Sequence, residues 1–297
     1  MDLRARPWRS VLYIPGSRQR AFEKACDLAI DAIIFDLEDA VAPEEKVSAR
    51  SLLVHALRVT DFGPRARIAR INGLDTPWGR DDARAMAGSH ADVVLIPKVG
   101  CAADVEAVAE LVPDIPLWAM IESPRGVLNA AEIAAHPRMQ GFVLGTNDLA
   151  KDLGARFRAD RLPLMTSLQM ALLAARAEGL ICLDGVYNAF KDDNGHKAEC
   201  AQGRDLGFDG KTIIHPRQIA VANAAFAPGE DEIDLARRQI EAFEAAQAQG
   251  KGVAVVDGKI VENLHIVTAR QTLAKAEAIA ELTALHAAQE EKLVQEA

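Results

Sequence analysis

Long apolar stretches are missing from this chain: nothing approaches the roughly 18 consecutive apolar residues of a membrane-spanning helix. The charged start, Met1 to Arg9, is not followed by an apolar run long enough for a signal peptide. Positive charge is also short. Lys and Arg number 34 against 43 Asp and Glu, the formal charge is -9 and the pI is near 5.3. That balance argues against a general nucleic-acid or membrane-surface binder, although local Arg and Lys can still serve an anionic ligand. The four cysteines, Cys26, Cys101, Cys182 and Cys200, have no metal-ligand spacing and read as reduced thiols, which points to the cytoplasm. A Gly-rich dinucleotide turn is absent too: the first strand ends in Pro15-Gly16-Ser17, without the G-x-G-x-x-G spacing.

What is present is a repeated pattern of short apolar runs that end in polar residues. Val11 to Ile14, Ala32 to Phe35, Arg67 to Ile71, Asp92 to Ile96, Leu117 to Ile121, Gly141 to Gly145, Ile181 to Val186 and Gly210 to Ile214 read as strands buried on both faces. Helix-like segments separate them, including one from Arg18 to Leu28 that Ser17 could cap and one from Gly126 to Ala135. About eight such strands alternating with helices is the count of a closed (β/α)₈ TIM barrel. A doubly wound open sheet is the alternative. Residues 1–227 are expected to form the barrel and 228–297 a C-terminal extension, made of a helix, a hairpin turning at Asp257-Gly258-Lys259 and a last helix. That tail has no partner inside a completed barrel, so it reads as a lid or an arm onto another subunit of a homo-oligomer.

In a barrel the loops after the strands carry the chemistry, and here they hold Asp36, Glu38, Asp39, Arg70, Lys98, Glu122 and Asp148. Glu122 and Asp148 end consecutive strands. Singly each could cap a helix or pair with an arginine. Together, beside Gly145 and with no His or Cys nearby, they read as oxygen ligands for Mg²⁺. Arg70 lies within a strand pattern, where an unpaired charge is costly. It is read either as a buried ion pair with Asp36 or Glu38, or as a donor to a developing oxyanion, and the two are compatible. Asp36, Glu38 and Asp39 repel one another unless cations intervene, and read as support for Arg70 and the metal's waters. Arg18, Arg20 and Lys24 read equally as a solvated helix face or as anion contacts, and His215 as a packed residue or a ligand contact. Asp257 is by default turn chemistry. The segment from Arg156 to Thr166 reads as a mobile loop near the site.

The runs Phe35-Asp36-Leu37-Glu38-Asp39-Ala40-Val41, Arg70-Ile71-Asn72-Gly73, Ile96-Pro97-Lys98, Ile121-Glu122-Ser123 and Gly145-Thr146-Asn147-Asp148-Leu149 resemble the citrate lyase β-subunit/malyl-CoA lyase group of the HpcH/HpaI aldolase superfamily. The resemblance runs from about Val11 to the C-terminal helix. It implies a Mg²⁺-dependent carbon-carbon lyase, with Mn²⁺ as a possible substitute, acting on a 3-hydroxyacyl-CoA thioester such as malyl-CoA, citramalyl-CoA or citryl-CoA. The products would be a 2-oxo acid and acetyl-CoA. The alternatives are a malyl-CoA thioesterase on the same barrel and a citrate lyase β-subunit acting on an acyl-carrier-protein thioester.

Carried over to this sequence, Glu122 and Asp148 match the metal ligands and Arg70 the arginine facing the thioester and keto-acid oxygens. Tyr13, Arg18, Lys24, Pro97, Lys98, Thr146, Asn147, Ile214 and His215 fall at substrate or CoA positions. Asp257 resembles an acid-base group that a C-terminal lid carries into a neighbouring subunit's site, in a trimer or hexamer. The resemblance therefore reverses the default reading of Asp257.

Overall fold

The computed structural model describes residues 6–296, with side chains through 289. Eight strands are all parallel to their neighbours and close on themselves: β1 (Ser10–Pro15), β2 (Ala32–Asp36), β3 (Ala66–Arg70), β4 (Val93–Ile96), β5 (Leu117–Ile121), β6 (Met139–Leu144), β7 (Ile181–Asp184) and β8 (Gly210–Ile213). β1 closes the ring by pairing with β8, Ser10 opposite Lys211 and Leu12 opposite Ile213. Every residue of β2, β4, β5, β7 and β8 is buried. That explains why β4 and β5 read as unbroken apolar runs rather than as alternating ones: one face meets the barrel interior and the other the surrounding helices.

Within the barrel the largest fully buried side chain is Trp118. Its ring stands 4.7 Å from that of Trp8. A side chain at Gly141 on the next strand would start 2.6 Å from the indole, so only glycine leaves room for this filling. On the outer face Phe35 of β2 meets Phe22 and Phe62 edge-on, each at 5.0 Å, which fixes the helix Gln19–Ala25 against the sheet.

The local structure differs from expectation in two places. Ser17 does not cap the first helix, which starts after Arg18 with no side-chain cap. The helix expected from Gly126 to Ala135 is two short ones, Pro124–Leu128 and Ala130–Ala134. Asn129 sits at the break with its side-chain amide donating to the Gly100 carbonyl at 2.7 Å, a tertiary bond that competes with helix continuity.

Contacts divide the chain at Pro7/Trp8 and at Phe226/Ala227. In the second unit a helix, Glu230–Ala248, leads to an antiparallel pair, β9 (Ala254–Val256) and β10 (Lys259–Val261), and to a long helix, Asn263–Glu296. Asp257 (φ 49°) and Gly258 (φ 73°) are both left-handed, as a two-residue primed turn demands. Phe243, Ala246, Ala254, Val256, Val261 and Ile266 give this unit its own small core. Among the described residues no helix is long and apolar enough to cross a membrane.

Candidate active site

Parallel closure puts the carboxyl ends of all eight strands at one mouth, and that is where the charge collects. Arg70, the last residue of β3, is 6% exposed. Its guanidinium grips Asp36, the last residue of β2, with two bonds: Nε to Oδ1 at 2.7 Å and Nη2 to Oδ2 at 2.5 Å. The register makes this unavoidable, since Asp36 and Arg70 are direct partners across the β2/β3 pair. Nη1 stands 2.7 Å from Glu38 Oε2 and 3.5 Å from Asp39. It also donates to Met120 Sδ at 3.5 Å, while the Tyr13 ring lies 5.1 Å beneath the group. Burial works against the charge of Arg70, but Asp36, Tyr13 and Glu38 hold its proton far more firmly than usual. The Tyr13 hydroxyl, buried above all, is pushed well beyond the ordinary phenol range and donates to the same Met120 sulfur at 3.7 Å.

Asp36 is itself fixed, accepting the backbone N–H groups of Glu38 (2.8 Å) and Ala40 (3.0 Å). The turn that carries Glu38 is braced from below. Lys46 Nζ donates to the Leu37 and Glu38 carbonyls at 3.0 and 2.9 Å, and Asn72 donates to the Leu37 carbonyl at 2.9 Å. Neither Lys46 nor Met120 was read as part of the site, because each lies in an ordinary helical or strand pattern.

Glu122 follows β5 and is 3% exposed. Its Oε1 accepts the Lys98 backbone N–H at 2.7 Å. Its Oε2 faces Gly145, where a Cβ would stand 2.4 Å away, so that glycine shapes the cradle of the carboxylate. Burial first, and then the nearby charge of Glu38, push its carboxyl up to about 7. Asp148 lies in the first turn of the helix Thr146–Asp152 after β6 and is partly exposed, with Lys98 Nζ 3.5 Å from Oδ2. Lys98 Nζ also bonds Glu38 Oε1.

One cavity of about 310 Å³ lies among these groups. Tyr13, Asp36, Asp39, Arg70, Glu122, Thr146, Asn147, Asp148 and Ile214 line it. Arg18, Lys24, Pro97, Lys98 and His215 are not on that lining. Arg18 and Lys24 are exposed and Pro97 is buried. The His215 ring stacks on Phe190 at 4.6 Å and its Nδ1 accepts the Arg217 N–H, so it is a packed cap. Asp257 belongs to the second unit, where Arg238 Nη1 holds its Oδ1 at 2.8 Å. That bond keeps its carboxyl below the usual range. The stretch expected as a loop from Arg156 is anchored by Arg161, 4% exposed and bonded to Asp184 and Gln202. A short helical turn over Leu162–Leu164 follows it.

The donors suit a small hard cation. Among the described residues no group of three or more His, Cys, Asp or Glu could hold a metal, but Mg²⁺ needs only one or two carboxylates, with water and substrate supplying the rest. The carboxyl of Glu122, raised by burial and by the charge of Glu38, marks negative charge crowded at this mouth.

The family model for HpcH/HpaI aldolase/citrate lyase matches residues 9–216. The chain belongs to this family. A protein named (3S)-malyl-CoA thioesterase from Cereibacter sphaeroides is 68% identical over 280 residues, covering 94% of this chain and 98% of the relative. Another family member from the same species, named L-malyl-CoA/beta-methylmalyl-CoA lyase, is 39% identical over 93% of this chain and 96% of its own length. Among solved structures, the CitE protein of Mycobacterium tuberculosis in complex with magnesium, acetoacetate and coenzyme A is 33% identical. It matches with a TM-score of 0.78, covering 93% of this chain and all of that one. The Mycobacterium tuberculosis citrate lyase beta subunit complexed with oxaloacetate and magnesium matches with a TM-score of 0.69 at 35% identity, over 77% of this chain. The chain is thus an enzyme-family barrel, and its malyl-CoA relatives carry both a thioesterase name and a lyase name.

Proposed function

We propose that this enzyme hydrolyses (3S)-malyl-CoA to malate and free CoA, using a site that Mg²⁺ completes. The observation that carries this reading is the 68% identity, over 94% of the chain, to proteins named (3S)-malyl-CoA thioesterase. It reverses the order expected from the sequence, where the carbon-carbon lyase came first. In the proposal Glu122 and Asp148 hold the cation. When bound, it supplies positive charge for the hydroxy-carboxylate end of the acyl group, and Mn²⁺ could replace it.

The chain's own residues do the rest. Arg70 lines the cavity on a guanidinium that Asp36, Glu38 and Tyr13 already orient, so its positive charge is preorganised to meet a thioester oxygen as negative charge builds there. Arg18 and Lys24, exposed on the first helix, are assigned to the CoA portion of the substrate. Asp257 of a neighbouring copy, in a trimer or hexamer, is assigned the base. Arg238 keeps it ionised, so the unprotonated form is the one present at neutral pH. Water's oxygen bonds to the thioester carbon while its proton passes to Asp257. The carbon-sulfur bond then breaks, and the CoA thiolate leaves and takes up a proton.

Carbon-carbon cleavage to glyoxylate and acetyl-CoA is the second reading, favoured by the 39% identity to the lyases. An assay of products from (3S)-malyl-CoA with Mg²⁺ separates the two. Malate with an equivalent of free thiol is the expected outcome, whereas glyoxylate with acetyl-CoA and no free thiol replaces the hydrolase reading with the lyase one. Asp257→Asn should lower kcat by about a hundredfold or more, and an unchanged kcat removes Asp257 from the account.

A further inference from the structure

Lys98 sits at substrate position by resemblance, yet its geometry ties it to the carboxylates. Its backbone is left-handed, with φ 52°, a conformation that side-chain-bearing residues avoid and that glycine would adopt freely. The twist aims both ends of the residue at acids. The backbone N–H donates to Glu122 Oε1 at 2.7 Å, and the ammonium bonds Glu38 while standing 3.5 Å from Asp148 Oδ2 and 4.0 Å from Asp39.

Arg70 spends its charge on Asp36, Glu38 and Asp39. Among the described residues Lys98 supplies the only ion pair of Asp148. The side chain of Lys98 is half exposed (53%), so it can move without disturbing the core. A divalent cation on Glu122 and Asp148 would meet this ammonium at close range, and the two positive charges compete for Asp148.

We propose that Lys98 is the resident counter-ion of the cation site: its ammonium neutralises Asp148 while the metal is away, and yields Asp148 while keeping Glu38 when the metal loads. This rests on the assignment of Glu122 and Asp148 as the metal ligands. The consequence is that Lys98 holds metal affinity down and stabilises the metal-free protein.

Calorimetric titration with MgCl₂ alone, without substrate, tests it on the wild type, Lys98→Gln, Lys98→Gly and Lys98→Arg. Lys98→Gly keeps the left-handed backbone and its N–H while removing the ammonium, which guards against loss of fold. Both neutral variants should bind Mg²⁺ more tightly, by about fivefold or more, whereas Lys98→Arg stays within about twofold of wild type. In parallel melts, the metal-free neutral variants should show a larger Mg²⁺-induced rise in Tm than wild type. Wild-type binding with unchanged or weaker affinity in both neutral variants overturns the proposal alone. No Mg²⁺ binding in any of the four proteins overturns the metal assignment, and this proposal with it.

Discussion

Two charged clusters are built around the carboxyl ends of barrel strands, one around Asp184, the last residue of β7, and one around Asp36, Arg70 and Glu122. In one, Lys211 Nζ lies 2.9 Å from Asp184 and 2.7 Å from Glu199, and Arg161 Nη1 lies 2.7 Å from Asp184. Two cations meet two carboxylates there, with Lys211 and Asp184 fully buried. Burial alone would raise the Asp184 carboxyl, but Lys211 and Arg161 outweigh it and hold it below its ordinary value. In the other, Arg70 and Lys98 face Asp36, Glu38, Asp39, Glu122 and Asp148, and the Glu122 carboxyl is pushed up instead. The residue types are alike, but Lys211 stands near the start of β8 whereas Arg70 ends β3. The balanced set closes on itself and holds loops in place, and the set with excess negative charge is the one that has use for an added cation.

Unbalancing the balanced cluster should have the largest effect. Lys211→Met leaves Asp184 buried with one partner fewer, and denaturant unfolding at neutral pH should show a loss of about 3–5 kcal/mol. The gap to wild type should narrow in acid. Asp184's folded pKa lies below its unfolded value of 3.8, so wild type has its contribution in full above that value and loses it as pH falls through the folded pKa. A constant gap across pH would show that the charge of Asp184 is not what Lys211 stabilises. The next effect is kinetic. Arg70→Lys keeps the charge but loses the two-bond grip on Asp36, and kcat should fall about a hundredfold with Tm little changed. A kcat within threefold of wild type would take the oxyanion role away from Arg70.

Much of the second cluster was legible in the sequence because each member directly follows an apolar run. Asp36, Arg70, Glu122 and Asp148 stand just where β2, β3, β5 and β6 stop or one turn later, and strand closure alone brings them together. The balanced cluster left no such trace. Arg161 sat in what read as a loop, Lys211 inside a strand and Glu199 within a helix, and only the ring joins positions up to 50 residues apart. Lys98 was placed at the mouth by the sequence, but its aim at the carboxylates was not legible, since it depends on a left-handed φ that a lysine does not announce. Ser17 shows the converse: plausible as a cap by type, it leaves the first helix without a side-chain cap, because tertiary neighbours decide what such a residue touches.

A divalent cation at the charge-rich mouth would draw its affinity from Glu122 and Asp148. Thermal melts of the wild type and Glu122→Gln, each with and without Mg²⁺, test it most directly. Mg²⁺ at a hundred times its Kd should stabilise the wild type by about 2.7 kcal/mol. Glu122→Gln should show no such gain, and should melt no lower than wild type when metal-free, having lost one carboxylate from a crowded set. Equal stabilisation of both proteins by Mg²⁺, or none of the wild type, would contradict it.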